Sequence, residues 1–413
     1  MIYHISKADK ILKGTISLPA SKSISNRVLV IRALCDDDFE IYNLSEAEDT
    51  EILKSEISTH CGKKLEINVG AAGTTMRFLT AYFAITEGLI VLTGSERMKE
   101  RPIGILVDAL KQLGAKIEYT EKEGFPPIKI EGQKLHGGKT IIDGNVSSQY
   151  ISALLMIAPK LKNGLTLELK GEIASRPYIE MTLKIMEHFG VKSNWIGNTI
   201  EVLEQKYIAK DFTVESDWSA ASYWCEMAAF SDETDIILIG LKKESLQGDA
   251  VVAEIFRQFG VETDFLDGEI RLRKNSEFRI ENSGLRMDCS AFPDLAQTLA
   301  VTCAGLGVSV ELTGLQTLRI KETDRLQALK NELEKFGVEA EIISDSKLDI
   351  KSPKLKTSNS KLQTYADHRM AMAFAPLALK VGEISIKNPE VVNKSYPSFW
   401  DDLKKTGFEI NEA

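Results

Sequence analysis

In EKFGVEAEI, residues 334–342, a helical run stops at Gly337 and an alternating apolar and polar run follows. Glycine closes a helix there by taking a left-handed backbone, and the alternation after it has the two-residue period of a strand. The same helix, stop and strand recur in THCGKKLEI at Gly62, KQLGAKIEY at Gly114, EHFGVKSNW at Gly190, RQFGVETDF at Gly260 and KKTGFEINE at Gly407. From Gly62 to Gly407 the intervals are 52, 76, 70, 77 and 70 residues. Leu106, Leu110 and Leu113 are spaced by 4 and 3, and Leu326, Leu329, Leu333 and Phe336 by 3, 4 and 3. Each of these helices therefore buries one stripe and wets the other.

A second series lies between them: SKSISNRVLVIRAL, AAGTTMRFLTAYFA, VSSQYISALLMIAP, SDWSAASYWCEMAA, FPDLAQTLAVTCAG and DHRMAMAFAPLALK. Each begins with a polar or glycine-containing turn and continues too uniformly apolar for a surface helix, so these are expected to be buried. One buried helix, one amphipathic helix and several short strands make a unit. Six such units predict an α/β chain of two similar domains with three units each, the midpoint falling near residues 208–215.

The length of 413 residues also fits two or three domains, at roughly 150 residues each. Hydrophobic residues at 43% and charged ones at 27% describe an ordinary folded protein. A formal charge of -9 disfavours a general coat for nucleic acid, so an anionic ligand needs a local basic pocket. Cys35, Cys61, Cys225, Cys289 and Cys303 form no CxxC pair and have no histidine cluster beside them, which implies neither a zinc site nor a disulfide framework and fits a reducing cytoplasm. The opening MIYHISKADKILKG lacks the apolar core of a signal peptide, and no apolar run approaches the ~18 residues of a membrane span. Neither a Gly-x-x-x-x-Gly-Lys-Ser/Thr loop nor a Gly-x-Gly-x-x-Gly fingerprint occurs in a strand-to-helix setting, so ATP and NAD are not implied. No Gly-x-Ser-x-Gly elbow indicates a serine hydrolase.

If the buried helices pack side by side, their starts converge on one face of each domain, where free N–H groups and the helix dipole favour anions. Lys22, Arg27, Arg77, Arg101, Arg176, Lys321, Arg325 and Arg369 stand at or near such starts, with Lys394 near the C-terminus. That placement points to a cleft between two domains that receives a small, multiply charged anion. Taken singly, each motif reads two ways. PASKSISNR is either a helix start capped by Ser21 or Ser23 or an anion-binding turn. The two serines of NVSSQY are caps or phosphate contacts. Arg101-Pro102 and Arg176-Pro177 place Pro at a helix start. Lys321, Glu322 and Arg325 of IKETDR sit together at a helix start, as a solvated ion-pair face or as a site. Asp294 is a cap or a base, and His368, with no partner at ligand spacing, is structural rather than a metal ligand.

The ordered set SKSISNR, AGTTMR, RMKERPI, SSQYISALLM, SRPYIEMT, PDLAQTLAV, LRIKETDR, DHRMAMAF and NKSYPSF resembles the 5-enolpyruvylshikimate-3-phosphate synthase family of enolpyruvyl transferases over nearly the whole chain. The resemblance implies the inside-out α/β barrel fold: two domains, each of three βαβαββ units around buried helices. Residues 21–215 would form one domain and residues 1–20 with 216–413 the other, with the active site in the interdomain cleft. The implied reaction moves the enolpyruvyl group of phosphoenolpyruvate to the 5-hydroxyl of shikimate 3-phosphate by addition and elimination through a tetrahedral intermediate, releasing phosphate, on the way to chorismate and the aromatic amino acids. A cytoplasmic monomer is expected, with small-molecule substrates, no cofactor, no metal, no nucleic acid and no membrane partner.

By the same resemblance Asp294 takes the proton of the 5-hydroxyl, Glu322 protonates the methylene carbon, and Lys22 steadies charge on the intermediate. Shikimate 3-phosphate is assigned to Lys22, Ser23, Arg27, Ser147, Ser148, Gln149, Ser175, Tyr178, Asp294 and Lys321. Phosphoenolpyruvate is assigned to Lys22, Gly73, Thr74, Arg101, Gln149, Arg325, Arg369 and Lys394. Five positions depart from the family pattern: Ala71 for the usual Asn, Phe78 for a common Pro, Ser216 and Trp218 in Ser216-Asp217-Trp218-Ser219 for Gly-Asp-Ala-Ser, and Thr317 where some members carry Asn. The nearest alternative, the transferase acting on UDP-N-acetylglucosamine, usually has a reactive Cys on the loop before its Arg-Pro helix, and TGSERMKERPIG at 93–104 has none. A non-catalytic anion binder of the same fold would be expected to lose Asp294 or Glu322, and both are present.

Overall fold

Gly114, Gly190, Gly260, Gly337 and Gly407 all take positive φ, between 75° and 96°. At Gly337 the helix Arg325–Lys335 ends with paired bonds, the Gly337 N–H to the Glu334 carbonyl and the Val338 N–H to the Leu333 carbonyl. The turn satisfies carbonyls that a helix end otherwise leaves open. The following residue then anchors the strand: Val191, Val261, Val338 and Phe408 are all buried. The computed structural model describes residues 1–59, 65–280, 284–351, 355–356 and 361–413. Gly62, the first glycine of the series, and Cys61 lie outside the described residues.

The chain forms two compact units, one of residues 21–214, the other of residues 1–20 with 215–413. Glu215 falls in the second, one residue earlier than the sequence boundary, because its carboxylate accepts bonds from Ser245, Leu246 and Gln247.

In the contiguous unit, strands Leu65–Asn68 and Gly88–Thr93 run parallel, joined by the buried helix Gly73–Ile85. The amphipathic helix Gly104–Gln112 follows, and a hairpin of Lys116–Tyr119 and Ile128–Gly132 returns antiparallel to complete the sheet. The pattern has a physical reason. Parallel neighbours need a long crossover, which a helix supplies, whereas the hairpin needs only a short turn. The next repeat copies it with His136–Asp143, helix Ser148–Ile157, Lys162–Lys170, helix Arg176–His188, Ser193–Ile196 and Thr199–Val202. The remaining repeat holds helices Lys22–Leu34 and Glu48–Thr59; among the described residues its sheet is the parallel pair Ile41–Tyr42 and Phe212–Thr213. The three buried helices touch one another.

The discontinuous unit has three four-stranded sheets; two have the spatial order first, second, fourth, third along the chain, and the other has it once the N-terminal strand Ile2–Ser6 is counted last. Its buried helices are Trp218–Phe230, Ala296–Leu306 and His368–Phe374, again in mutual contact. Residues 1–20 are integral to it. Ile11–Ser17 is the first strand of one sheet, and Ile2–Ser6 lies between Glu383–Lys387 and Glu409–Glu412 in another. The amphipathic helix expected before Gly260 is instead a short α-turn, Val252–Ile255, between 3-10 turns. Among the described residues no helix is long and apolar enough to cross a membrane.

Ile5 is fully buried in that inserted strand, so Ile5→Ala should lower unfolding free energy by about 2–5 kcal/mol, the range for truncating a core aliphatic side chain. Urea denaturation checks it, and a loss below about 1 kcal/mol would mean the strand is peripheral.

Candidate active site

In the contiguous unit two buried helices start without a side-chain cap. Ser21 precedes the Lys22 helix but accepts no capping bond, and its buried hydroxyl has no hydrogen-bond partner among the described residues. The expected cap is therefore absent. Ala72 before the Gly73 helix has no side chain to cap with. Uncapped first turns keep N–H groups available for an anion. By contrast the Ser147 hydroxyl accepts from the Gln149 N–H.

Side chains tie these starts together. Lys22 Nζ lies 3.1 Å from Asp49 Oδ2, and the Thr75 hydroxyl donates to the Asp49 carbonyl at 2.8 Å. Gln149 Nε2 donates to Thr74 Oγ1 at 2.9 Å. The Arg101 guanidinium is packed against Gly73 so closely that a Cβ there would stand 2.5 Å from Nη2. Only glycine leaves that space. Arg27, 2% exposed, donates to Thr182 Oγ1 at 2.7 Å, the Ser23 carbonyl at 2.7 Å, Ser152 Oγ at 3.1 Å and the Tyr178 carbonyl at 3.4 Å. These acceptors are all neutral, and burial pulls the Arg27 guanidinium down to about 10. Ser148 is buried at the first position of its helix, and Ser175 holds a left-handed backbone, φ 53°, before the Arg176 helix. A non-glycine residue held at positive φ stores strain, a feature that gathers at functional sites.

The discontinuous unit carries the carboxylates. Arg325, 1% exposed, sends Nε to Asp367 Oδ2 at 2.7 Å, Nη1 to Asp294 Oδ1 at 3.1 Å and Nη2 to Glu322 Oε2 at 2.9 Å. Lys394 Nζ reaches Glu322 Oε1 at 3.0 Å, Arg369 Nη2 reaches Asp294 Oδ2 at 2.9 Å, and Lys321 lies 3.6 Å from Asp294. Burial works to raise the Asp294 carboxyl, but Arg369, Lys321 and Arg325 outweigh it and hold Asp294 well below the usual carboxylate range. Burial likewise opposes the Arg325 charge, and Asp367, Glu322 and Asp294 more than restore it. One unit thus presents cations at helix starts; the other holds two candidate proton-transfer carboxylates on one guanidinium.

A sequence model of EPSP synthase (3-phosphoshikimate 1-carboxyvinyltransferase) matches residues 52–403. The chain is 51% identical over 409 residues to the 3-phosphoshikimate 1-carboxyvinyltransferase of Bacteroides fragilis, covering 98% of both chains. The chain belongs to the EPSP synthase family. The enzyme of that name from Sulfurovum is 38% identical over 424 residues, covering 96% of this chain and 97% of that one. An EPSP synthase structure from Acinetobacter baumannii shares the fold with a TM-score of 0.79, at 22% identity and with full coverage of both chains. The enolpyruvyl transferase NikO from Streptomyces tendae shares it at 0.76, with 14% identity, covering 100% of this chain and 98% of that one.

Two local expectations of the sequence are corrected. Pro102 does not open a helix: the helix begins at Gly104, where the Ile103 and Gly104 N–H groups both donate to the Gly124 carbonyl. Lys321 and Glu322 precede their helix, which starts at Arg325 with Asp324 as its cap, so the Glu322–Arg325 pair spans the turn. Arg176, for which a surface position is the favoured reading when taken singly, is exposed, paired with Glu180 and stacked over Trp195, and Pro177 lies in the first turn of its helix as expected. Nothing in the sequence singles out Asp49 or Asp249, and Asp367 stands in the DHRMAMAF motif without a role of its own. Each is an ordinary acidic residue in its local run, and only its three-dimensional neighbours set it apart. The Thr317 hydroxyl is buried without a hydrogen-bond partner among the described residues.

Asp249 makes a pH prediction. It is 2% exposed, and burial, then the charge of Asp294, push its carboxyl up to about 6 although Arg369 pulls the other way. Unfolded, it titrates near ~3.9. A raised folded value stabilises the fold below that pH and is lost as the pH climbs through about 6. Asp249→Asn should therefore flatten the loss of stability between about pH 4 and 6 and gain roughly 2–3 kcal/mol near pH 8. Urea denaturation across that range checks it; an unchanged profile would assign the pH dependence elsewhere.

Proposed function

We propose that this chain transfers the enolpyruvyl group of phosphoenolpyruvate to the 5-hydroxyl of shikimate 3-phosphate and releases phosphate, as a monomer in the cytoplasm. The observation that carries this reading is the shared guanidinium: Asp294 and Glu322 both lean on Arg325, with Lys394 and Arg369 on their outer sides. Each substrate brings one phosphate and one carboxylate, and such anions repel one another unless fixed cations offset them. Arg27, Ser23, Ser147, Ser148, Gln149, Ser175, Tyr178 and Lys321 are proposed to take shikimate 3-phosphate. Lys22, Gly73, Thr74, Arg101, Gln149, Arg325, Arg369 and Lys394 are proposed to take phosphoenolpyruvate.

Asp294, kept ionised by its cations, has its oxygens open to the proton of the 5-hydroxyl, and its proton affinity rises as the substrate anions claim Arg369, Lys321 and Arg325. Glu322 is suited to the methylene carbon. As the anions of phosphoenolpyruvate claim Arg325 and Lys394, Glu322 loses part of the positive field that favours its ionised form, and its affinity for a proton rises. Protonation at the methylene carbon leaves positive charge on the carbon bearing the phosphate, the 5-oxygen attacks there, and the tetrahedral intermediate forms. Removing a proton from the new methyl group then expels phosphate and restores the double bond.

Phosphate release with both substrates, omitting each in turn, tests the reading. Release should require both, and turnover with UDP-N-acetylglucosamine instead of shikimate 3-phosphate would overturn it. Asp294→Ala and Glu322→Ala should each cut kcat by about two orders of magnitude or more while shikimate 3-phosphate still binds, the scale of a lost proton-transfer group. Near-normal turnover in both would defeat the role assignment.

Gly73→Ala should displace the Arg101 guanidinium and raise the KM for phosphoenolpyruvate by roughly ten- to a hundredfold, the scale of one charge-assisted hydrogen bond. Steady-state kinetics in each substrate check this. An unchanged KM would separate Arg101 from that ligand.

A further inference from the structure

The start of the Trp218 helix carries a linkage that the proposed chemistry has not used. Asp217 caps the helix through the Ser219 N–H at 2.8 Å, which leaves the Ser219 side chain for other work. Its hydroxyl donates to Asp249 Oδ2, and Ser219 Oγ accepts from Arg369 Nη2 at 3.5 Å. Arg369 is held on its other side by Asp294: Nη2 to Oδ2 at 2.9 Å and Nη1 to the main-chain carbonyl at 3.2 Å. The turn bearing Asp249 is itself fixed. Gln247 accepts the Trp218 N–H at 3.0 Å and donates to the Ser216 carbonyl at 2.8 Å, so the turn is fastened to the helix start.

A hydroxyl has one proton. Because Ser219 spends it on Asp249, a lone pair is what Ser219 turns toward the guanidinium. Without the aspartate the hydroxyl loses the acceptor that fixes its rotation, and its lone pair is held less firmly toward the guanidinium. Arg369 keeps the Tyr223 hydroxyl, 3.5 Å from Nη1, and Asp294, and guanidinium and carboxylate pairs tend to close into a two-bond fork. That closure would occupy the proposed base and withdraw the cation from an incoming anion. Burying Asp249 also disfavours its charge, as the raised carboxyl shows, so its place is not explained by stability alone. We propose that Asp249 is a positioning residue for phosphoenolpyruvate: through the Ser219 hydroxyl it fixes the Arg369 guanidinium between Asp294 and the incoming anion. The inference rests on the assignment of Arg369 to that substrate.

The test is steady-state kinetics of full-length Ser219→Ala, Asp249→Ala, Asp249→Asn and the double alanine variant, varying each substrate separately. Ser219→Ala and Asp249→Ala should each raise the KM for phosphoenolpyruvate about tenfold, the scale of one hydrogen bond to a charged group, with the KM for shikimate 3-phosphate unchanged. The double variant should be no worse than either single one, because both break the same link. Asp249→Asn keeps an acceptor for the hydroxyl and should stay within about threefold of the parent. A phosphoenolpyruvate KM that stays within about twofold in Ser219→Ala, equal rises for both substrates, or additive effects would overturn the proposal. Ser219→Ala decides alone if Asp249→Ala does not fold. A parent chain that releases no phosphate overturns the reading of the reaction and this inference with it, whereas an active parent with unmoved variants overturns only the inference.

Discussion

A guanidinium as buried as Arg325 has to be neutralised where it stands, since an isolated buried charge costs several kcal/mol or more in a protein interior. That demand organises one whole unit. Asp294 comes from the turn before one buried helix, Glu322 from the bend before the next amphipathic helix, and Asp367 from the start of the third buried helix. Asp367 has two duties: it takes the Arg325 Nε and caps its own helix through the Arg369 N–H at 2.9 Å. The carboxylate that neutralises one arginine thus sets where the next one begins. Removing a single partner would leave an uncompensated charge, so the cluster is expected to be conformationally rigid before any substrate arrives.

The other unit balances charge differently. Arg27 is as buried as Arg325 yet its hydrogen-bond acceptors among the described residues are neutral oxygens, and its guanidinium is pulled down to about 10 where Arg325 is raised. A cation in this state is incomplete until an anion binds, and an anion that binds only the folded chain stabilises it. The two units therefore differ in how they hold a buried guanidinium: one sets it among neutral acceptors, the other among three carboxylates.

The repeat was legible in the sequence because its punctuation is local. Gly114, Gly190, Gly260, Gly337 and Gly407 need a backbone that other residues avoid, and the uniformly apolar runs have nowhere to go but inside. Local reasoning failed where the deciding partner is remote in sequence. Ser21 has the composition of a cap and makes none. Pro102 has the composition of a helix opener, but the first N–H groups of that helix are met by the Gly124 carbonyl. Asp249 sits in LQGDAVV with no local mark, and its meaning comes from Ser219, Arg369 and Asp294, each many residues away. The Lys22 and Asp49 pair is hidden for the same reason: an acidic run at a helix start reads as dipole compensation.

The departures from the family pattern are where sequence comparison alone is least informative, and the structure gives several of them physical content. Phe78 is fully buried, and the Arg27 guanidinium lies 5.5 Å from its ring centroid. An aromatic face attracts a cation without neutralising it, so Phe78 can steady the buried charge and still leave it available to an anion. Trp218 is also fully buried, its ring 6.2 Å from Phe265, so the bulk added at that position goes into the core and the helix start keeps its backbone bond to Gln247. Ala71 contacts Arg101 through its main-chain carbonyl, at 3.5 Å, a bond that does not depend on the side chain. At Trp218 and Ala71 the changed side chain leaves the polar contact in place, because that contact is made by backbone.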